Sequence, residues 1–290
     1  MRSLLFIPGD SPRKLEKGVG SGADVLLLDL EDSISPEKKA EARATTTAFL
    51  KEAHAVKDRP RLYVRINGLA TGLTDDDLDA VVGGRPDGIM FPKAEGGAAV
   101  THCDAKLTAH EAIHGLPDGR IDIIAIATET APAMFLAGTY KGSSNRLKAL
   151  TWGAEDLSAE LGAEANRDRD GHFLDPYRLA RSLCLVGAAA AHVPAIDTVY
   201  IDFRNEAGFR RECEEARRDG FTGKMLIHPA QVAACNDVFT PNAEQIKKAE
   251  GVIAAFAASP GAGTVGIGGV MFDRPHLERA RQLLARVRAK

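Results

Sequence analysis

Carboxylates stand just beyond two consecutive apolar stretches of this chain. Ile121-Asp-Ile-Ile-Ala-Ile-Ala127 leads through Thr128 to Glu129, and Leu147 to Trp152 breaks at Gly153 and leads to Glu155 and Asp156. Acids past the C-terminal end of a parallel strand sit where α/β enzymes hold their chemistry. A pair of them on neighbouring strand ends offers hard oxygen ligands to a divalent cation and leaves positions open. Other apolar stretches also end in charge: Asp29, Glu31 and Asp32, then Arg65, then Lys93, and later Asp202, Arg204 and His228. Several acids without a cysteine or histidine partner point to Mg²⁺ or Mn²⁺ rather than zinc. Arg65 could take a substrate carboxylate through two parallel hydrogen bonds. So many acids beside one arginine, if unpaired, would be costly without a cation.

The elements that must position these groups read as eight strand-then-helix units. Apolar stretches begin at Leu4, Ala23, Arg61, Gly88, Ile121, Leu147, Ala195 and Gly223, and a helical pattern follows each. Regular alternation of this kind predicts a (β/α)8 barrel, with a doubly wound open sheet as the alternative. No Gly-x-Gly-x-x-Gly follows the first strand, which weakens a dinucleotide-binding version of the open sheet. Residues 1–240 form the catalytic barrel in this reading, and residues 241–290 a C-terminal helix–lid–helix extension. Its central part, residues 264–272, is glycine-rich and expected to be extended and mobile, ending in Asp273. Its last helix places Leu277, Ala280, Leu284 and Val287 on one face. A tail so patterned must dock on its own barrel or on a neighbour's.

Bulk properties remove several classes of function. A formal net charge of −3 offers no nucleic-acid surface and no polybasic membrane patch. The apolar runs are too short for a signal sequence or a membrane span. Four cysteines without paired spacing read as reduced thiols of a cytoplasmic protein. His110-Glu-Ala-Ile-His114 matches a zinc-protease pattern, but Gly115-Leu-Pro117 ends the helix at once, and the barrel puts that helix on the outside. Lys14 and Lys17 suit either solvent or phosphates at the rim. A barrel kept only as a scaffold is a third class, and the set Arg65, Glu129, Asp156 and Asp273 speaks against it.

The motifs together resemble a known family. Phe6-Ile-Pro-Gly-Asp10, Leu28-Asp-Leu-Glu-Asp32, Val64-Arg-Ile-Asn67, Phe91-Pro-Lys-Ala-Glu95, Thr128-Glu-Thr130, Gly153-Ala-Glu-Asp156 and Ile196-Asp-Thr-Val-Tyr200 occur in order along the chain. Gly223-Lys-Met-Leu-Ile-His-Pro-Ala-Gln231 and Met271-Phe-Asp-Arg-Pro275 follow. This series resembles the citrate lyase β-subunit-like family of the HpcH/HpaI aldolase group, in the phosphoenolpyruvate/pyruvate-like barrel superfamily. The resemblance implies that Glu129 and Asp156 bind Mg²⁺, that Arg65 binds the substrate, and that Glu31 and Asp32 lie behind the metal's waters. It implies cleavage or formation of a carbon–carbon bond beside a thioester, malyl-, citramalyl- or citryl-CoA or an acyl-carrier version, through an enolate. Thioester hydrolysis, malate synthase-like condensation and a subunit of a multi-subunit citrate lyase are the alternatives. It further implies that Asp273 acts from a lid that reaches a neighbouring barrel, in a homo-oligomer, a trimer. The chain departs from the family at Gly268-Gly269-Val270, where Asp-Gly-Lys is usual.

Overall fold

The structure, a computed structural model, describes residues 1–288 and divides into two compact units, Met1–Asn236 and Asp237–Lys290. The first unit is built on eight parallel strands: β1 (Ser3–Pro8), β2 (Val25–Asp29), β3 (Arg61–Arg65), β4 (Gly88–Phe91), β5 (Asp122–Ile126), β6 (Leu147–Thr151), β7 (Ile196–Asp197) and β8 (Gly223–Leu226). Their spatial order is β6-β5-β4-β3-β2-β1-β8-β7. A parallel bridge between Leu150 and Ala195, with Leu150 N–H donating to Pro194 O at 3.0 Å, joins the two ends and closes the barrel. Helices α1 (Pro12–Val19), α2 (Lys39–Ala53), α3 (Thr74–Val82), α4 (Gly96–Ile113), α5 (Ala131–Leu136), α6 (Ala154–Leu161), α7 (Asp175–Ala191), α8 (Glu206–Asp219) and α9 (Gln231–Phe239) follow the strands.

The strands form because their residues are apolar on both faces, as parallel strands covered by helices must be. All five residues of β2, Val-Leu-Leu-Leu-Asp, are buried. Leu4, Leu27, Tyr63, Met90, Ile124 and Met225 meet inside the barrel, and Phe6 and Val199 pack on that cluster.

Two connections depart from the sequence reading. Strand β7 is only two residues long, because the ladder stops at Asp197; beyond it Val199 still packs on the barrel interior, while Ile201 is exposed. Between β6 and β7 the chain makes two helices, α6 and α7, joined by a loop in which Arg167 and Phe173 form an antiparallel bridge. Phe173 packs edge-on against Trp152, and Arg167 stacks 3.6 Å from the Phe173 ring.

The second unit has a small core of its own. Helices α10 (Ala243–Ala258) and α11 (Arg274–Arg288) flank a hairpin of β9 (Thr264–Ile267) and β10 (Val270–Asp273). Ala249, Val252, Phe256, Leu277 and Ala280 bury one another there, and Phe272 and Leu284 pack against them. Asn242 starts α10 with a capping box to Gln245. The stretch expected to be loose is therefore a paired hairpin. Its glycines serve the turn: Gly268 and Gly269 both have positive φ, +56° and +79°, as a two-residue turn joining twisted strands demands.

Candidate active site

The C-terminal strand ends surround a cleft of about 440 Å³ whose walls include Asp29, Asp32, Arg65, Glu129, Gly153 and Asp156. Backbone pairing carries the order of the barrel into these turns. Ala94 N–H donates to Ile126 O at 3.2 Å and Ala127 N–H to Thr151 O at 2.7 Å. Glu129 is thus fixed just past β5, where Thr130 caps α5 by accepting from Ala133 N–H. Gly153 is the N-cap of α6, and Asp156 lies in its first turn, near the positive end of the helix dipole.

Glu129 and Asp156 face each other across Gly153. A β-carbon at Gly153 would stand 2.9 Å from Glu129 Cβ, 3.0 Å from its Oε2 and 3.8 Å from Asp156 Oδ2. The missing side chain is what lets the two carboxylates share this space. Glu129 is buried, and burial, reinforced by the Asp156 charge, pushes its carboxyl well above the usual range. It accepts a hydrogen bond from the Lys93 backbone N–H. Lys93 has φ +49°, a left-handed conformation costly for a residue with a β-carbon. Its ammonium lies 2.7 Å from Glu31 Oε1 and 3.1 Å from Asp156 Oδ1. Burial opposes the Lys93 charge, but Glu129, Glu31 and Asp156 raise its pKa above the ordinary lysine value.

Arg65 stands on the other wall, and its surroundings correct one expectation. Its planar fork is spent within the protein: Nε and Nη2 donate to Asp29 Oδ1 and Oδ2, both at 2.7 Å. Asp29 and Arg65 are register partners on β2 and β3. Nη1 lies 3.0 Å from Glu31 Oε2 and 3.1 Å from Asp32 Oδ2. The acids of β2 are paired with Arg65 rather than unpaired. Burial raises Asp29, yet the Arg65 charge and hydrogen bonds outweigh it and hold the carboxyl below the usual range. For Glu31 burial wins over Arg65 and Lys93, and its carboxyl is pushed up to about 7. The turn carrying Glu31 is braced from outside. Lys39 Nζ donates to Leu30 O and Glu31 O, each at 2.7 Å, and to Asn67 Oδ1 at 2.9 Å.

Glu155 also lines this cleft and accepts from Asn166 Nδ2. The remaining strand-end groups are placed elsewhere. Asp202 lines a separate cavity of about 660 Å³ between α8 and the α6–α7 loop, and Phe203 stacks on His228. Asp273 belongs to the second unit, at the end of β10, where its carboxylate pairs with His276 and is held below the usual carboxylate range by that hydrogen bond. In the His-Glu-x-x-His stretch, Glu111 is buried and clamps Arg146 together with the Gly119 and Ile121 N–H groups, while His110 faces Asp79. That stretch packs an outer helix. Sequence reasoning missed the clamp on Arg65 and the bracing by Lys39 and Asn67. The first signal was available: Asp29 and Arg65 end adjacent strands.

The donors suit a hard cation. Among the described residues no group of three or more His, Cys, Asp or Glu side chains gathers as a closed metal nest. Mg²⁺ takes one or two carboxylates and fills its octahedron with water and substrate oxygens. Two carboxylates in one cleft, one buried and destabilised by the other's charge, match that demand.

Comparison with known proteins covers nearly the whole chain. A family model described as HpcH/HpaI aldolase/citrate lyase matches residues 2–229. The (3S)-malyl-CoA thioesterase of Cereibacter sphaeroides is 36% identical over 99% of this chain and 95% of its own. The mitochondrial citramalyl-CoA lyase of Rattus norvegicus is 33% identical over 98% of this chain and 85% of its own. Among solved structures, protein CitE from Mycobacterium tuberculosis in complex with magnesium, acetoacetate and coenzyme A superposes with a TM-score of 0.79 at 31% identity, covering 98% of this chain and 97% of that one.

Proposed function

The chain belongs to the HpcH/HpaI aldolase/citrate lyase family, and from that membership we propose that it is a Mg²⁺-dependent carbon–carbon lyase acting on a 3-hydroxy-acyl thioester of the malyl-, citramalyl- or citryl-CoA kind. The observation that carries this reading is the pair Glu129 and Asp156 around Gly153, in one cleft with Arg65. The magnesium and coenzyme A of the Mycobacterium tuberculosis structure support it.

Glu129 and Asp156 would hold the cation, and Glu31 and Asp32 would face its waters. Bound there, Mg²⁺ supplies positive charge to the oxygens of a 2-oxo acid. Arg65, aimed by Asp29, would balance the acid's carboxylate from its Nη1 side. In the lyase direction the 3-hydroxyl loses its proton, the bond between C2 and C3 breaks, and C2 gains a proton. Asp273 would handle the proton at C2. Residues 241–290 are the lid extension of this account, acting on a neighbouring barrel in a homo-oligomer, a trimer. A cytoplasmic location goes with it, supported by four buried free cysteines. No helix among the described residues is long and apolar enough to cross a membrane.

A second reading, hydrolysis of the thioester on the same site, is favoured by the 36% identity to a malyl-CoA thioesterase. Incubating the protein with Mg²⁺ and a panel of 3-hydroxy-acyl-CoA thioesters separates the two. A lyase releases a 2-oxo acid and a shorter acyl-CoA. A thioesterase releases free CoA and the intact hydroxy acid, and that product alone would replace the lyase reading.

A further inference from the structure

Lys93 meets Glu129 and Asp156 with two different groups. Its backbone N–H donates to Glu129, and its ammonium lies 3.1 Å from Asp156 Oδ1 and 2.7 Å from Glu31 Oε1. It does so from a left-handed conformation, φ +49°, a strain that persists only where the surroundings impose it. The stem runs beside Gly68, where a β-carbon would stand 3.6 Å from Lys93 Cβ and 3.8 Å from its Cδ. The two acids on the ammonium are held unequally. Glu31 is buried, paired with Arg65 at 3.0 Å and braced at its carbonyl by Lys39. Asp156 has Lys93 as its ion pair and opens on the cleft. The Lys93 side chain is itself 34% exposed, a point charge on a flexible stem.

Resting on the metal pair of the reading above, we infer that the Lys93 ammonium competes with Mg²⁺ for Asp156. Lys93 is then a positioning residue with two effects. Without metal its charge offsets the mutual repulsion of Glu31, Glu129 and Asp156 and keeps them converged. With metal it stands as a like charge beside the cation and weakens the grip of the site. Giving up Asp156 leaves the ammonium on Glu31, which stays in place through Arg65 and Lys39. A plain structural ion pair would do neither, since its loss would lower stability by the same amount with and without Mg²⁺.

The test is calorimetric titration of Mg²⁺ into the wild type and three variants. Lys93→Met and Lys93→Gln remove the charge, and the glutamine keeps a donor for Glu31. Lys93→Arg keeps the charge. Both neutral variants should bind Mg²⁺ at least about tenfold more tightly than the wild type, and the arginine variant should stay within about threefold of it. Thermal unfolding reads the same competition from the side of stability. The neutral variants should melt below the wild type in EDTA and recover that deficit in saturating Mg²⁺. An affinity that does not rise in the neutral variants, or a melting deficit that Mg²⁺ leaves unchanged, would overturn the inference and leave the metal pair standing. A wild type that binds no Mg²⁺, with or without pyruvate, would overturn the metal pair and the inference with it.

Discussion

Asp29 gives Arg65 its direction. The two hydrogen bonds at 2.7 Å fix the plane of the guanidinium, and Phe6 supports its face. A lysine would keep the charge but lose the fork and the stacking. Arg65→Lys should lower kcat/KM by about a hundredfold or more, and near-normal kinetics with the true substrate would contradict the role given to this side chain. Glu31 makes a different prediction. Its carboxyl titrates at about 7 in the folded protein, against an ordinary 4.5, because burial outweighs the attraction of Arg65 and Lys93. A carboxyl raised in this way favours the folded state fully below the unfolded value, and that contribution is lost as the pH rises through the folded one. Urea unfolding in EDTA at about pH 5 and about pH 8 should therefore show the wild type losing more stability than Glu31→Gln; parallel losses would contradict the assignment. The place of Glu129 and of the pair Glu155 and Asp156 at strand ends was legible because they follow apolar runs closely; the choice of Asp156 over Glu155 came from the family resemblance. The Asp29–Arg65 clamp was not legible, because it depends on which strands are neighbours and in what register. The bracing of Glu31 by Lys39 depends on a side chain reaching back from the start of α2, and no local pattern announces that.

The strands were legible because residues buried on both faces leave long apolar runs, and the turns after them leave glycine, proline and charge. The α6–α7 loop was hidden because its order comes from distant partners: Phe173 on Trp152, and Arg167 on Glu212 at 2.7 Å. The strands of the β9–β10 hairpin were expected to be extended, but their pairing went unread because Gly268-Gly269 signals looseness or a tight turn equally well. Two variants test how the elements hold the site. Gly153→Ala puts a methyl where Glu129 and Asp156 approach each other, so Mg²⁺ affinity measured by calorimetry should fall about tenfold or more. Unchanged affinity would mean that the carboxylates do not meet the cation across this glycine. Between β7 and β8, Lys224 is fully buried and pairs with Asp197 at 2.8 Å and Glu212 at 2.7 Å. Asp197 also accepts from Trp152 Nε1 at 2.8 Å, which ties this pair to the end of β6. Removing one partner strands a buried charge, so Lys224→Met should cost about 3 kcal/mol or more in urea unfolding. A loss under about 1 kcal/mol would show that Arg181, 3.3 Å from Asp197, carries the balance alone.

Two units with separate cores make up the chain, and the proposal gives them separate tasks: the barrel holds metal and substrate, and the extension brings Asp273. A lid acting between subunits has a consequence that no single chain can show. Mixed oligomers of Asp273→Ala and Glu129→Ala subunits should regain part of the activity, because some sites then combine an intact metal pair with an intact lid. Verified mixed oligomers without any recovery would mean that each lid serves its own barrel. The central claim, that Glu129 and Asp156 hold the cation on which carbon–carbon cleavage depends, is tested most directly by assaying wild type, Glu129→Ala and Asp156→Ala for release of a 2-oxo acid from 3-hydroxy-acyl-CoA, each with Mg²⁺ and with excess EDTA. The account predicts turnover only in the wild type with Mg²⁺, from three proteins with the same circular dichroism; full activity of both variants, or wild-type activity that survives EDTA, would contradict it.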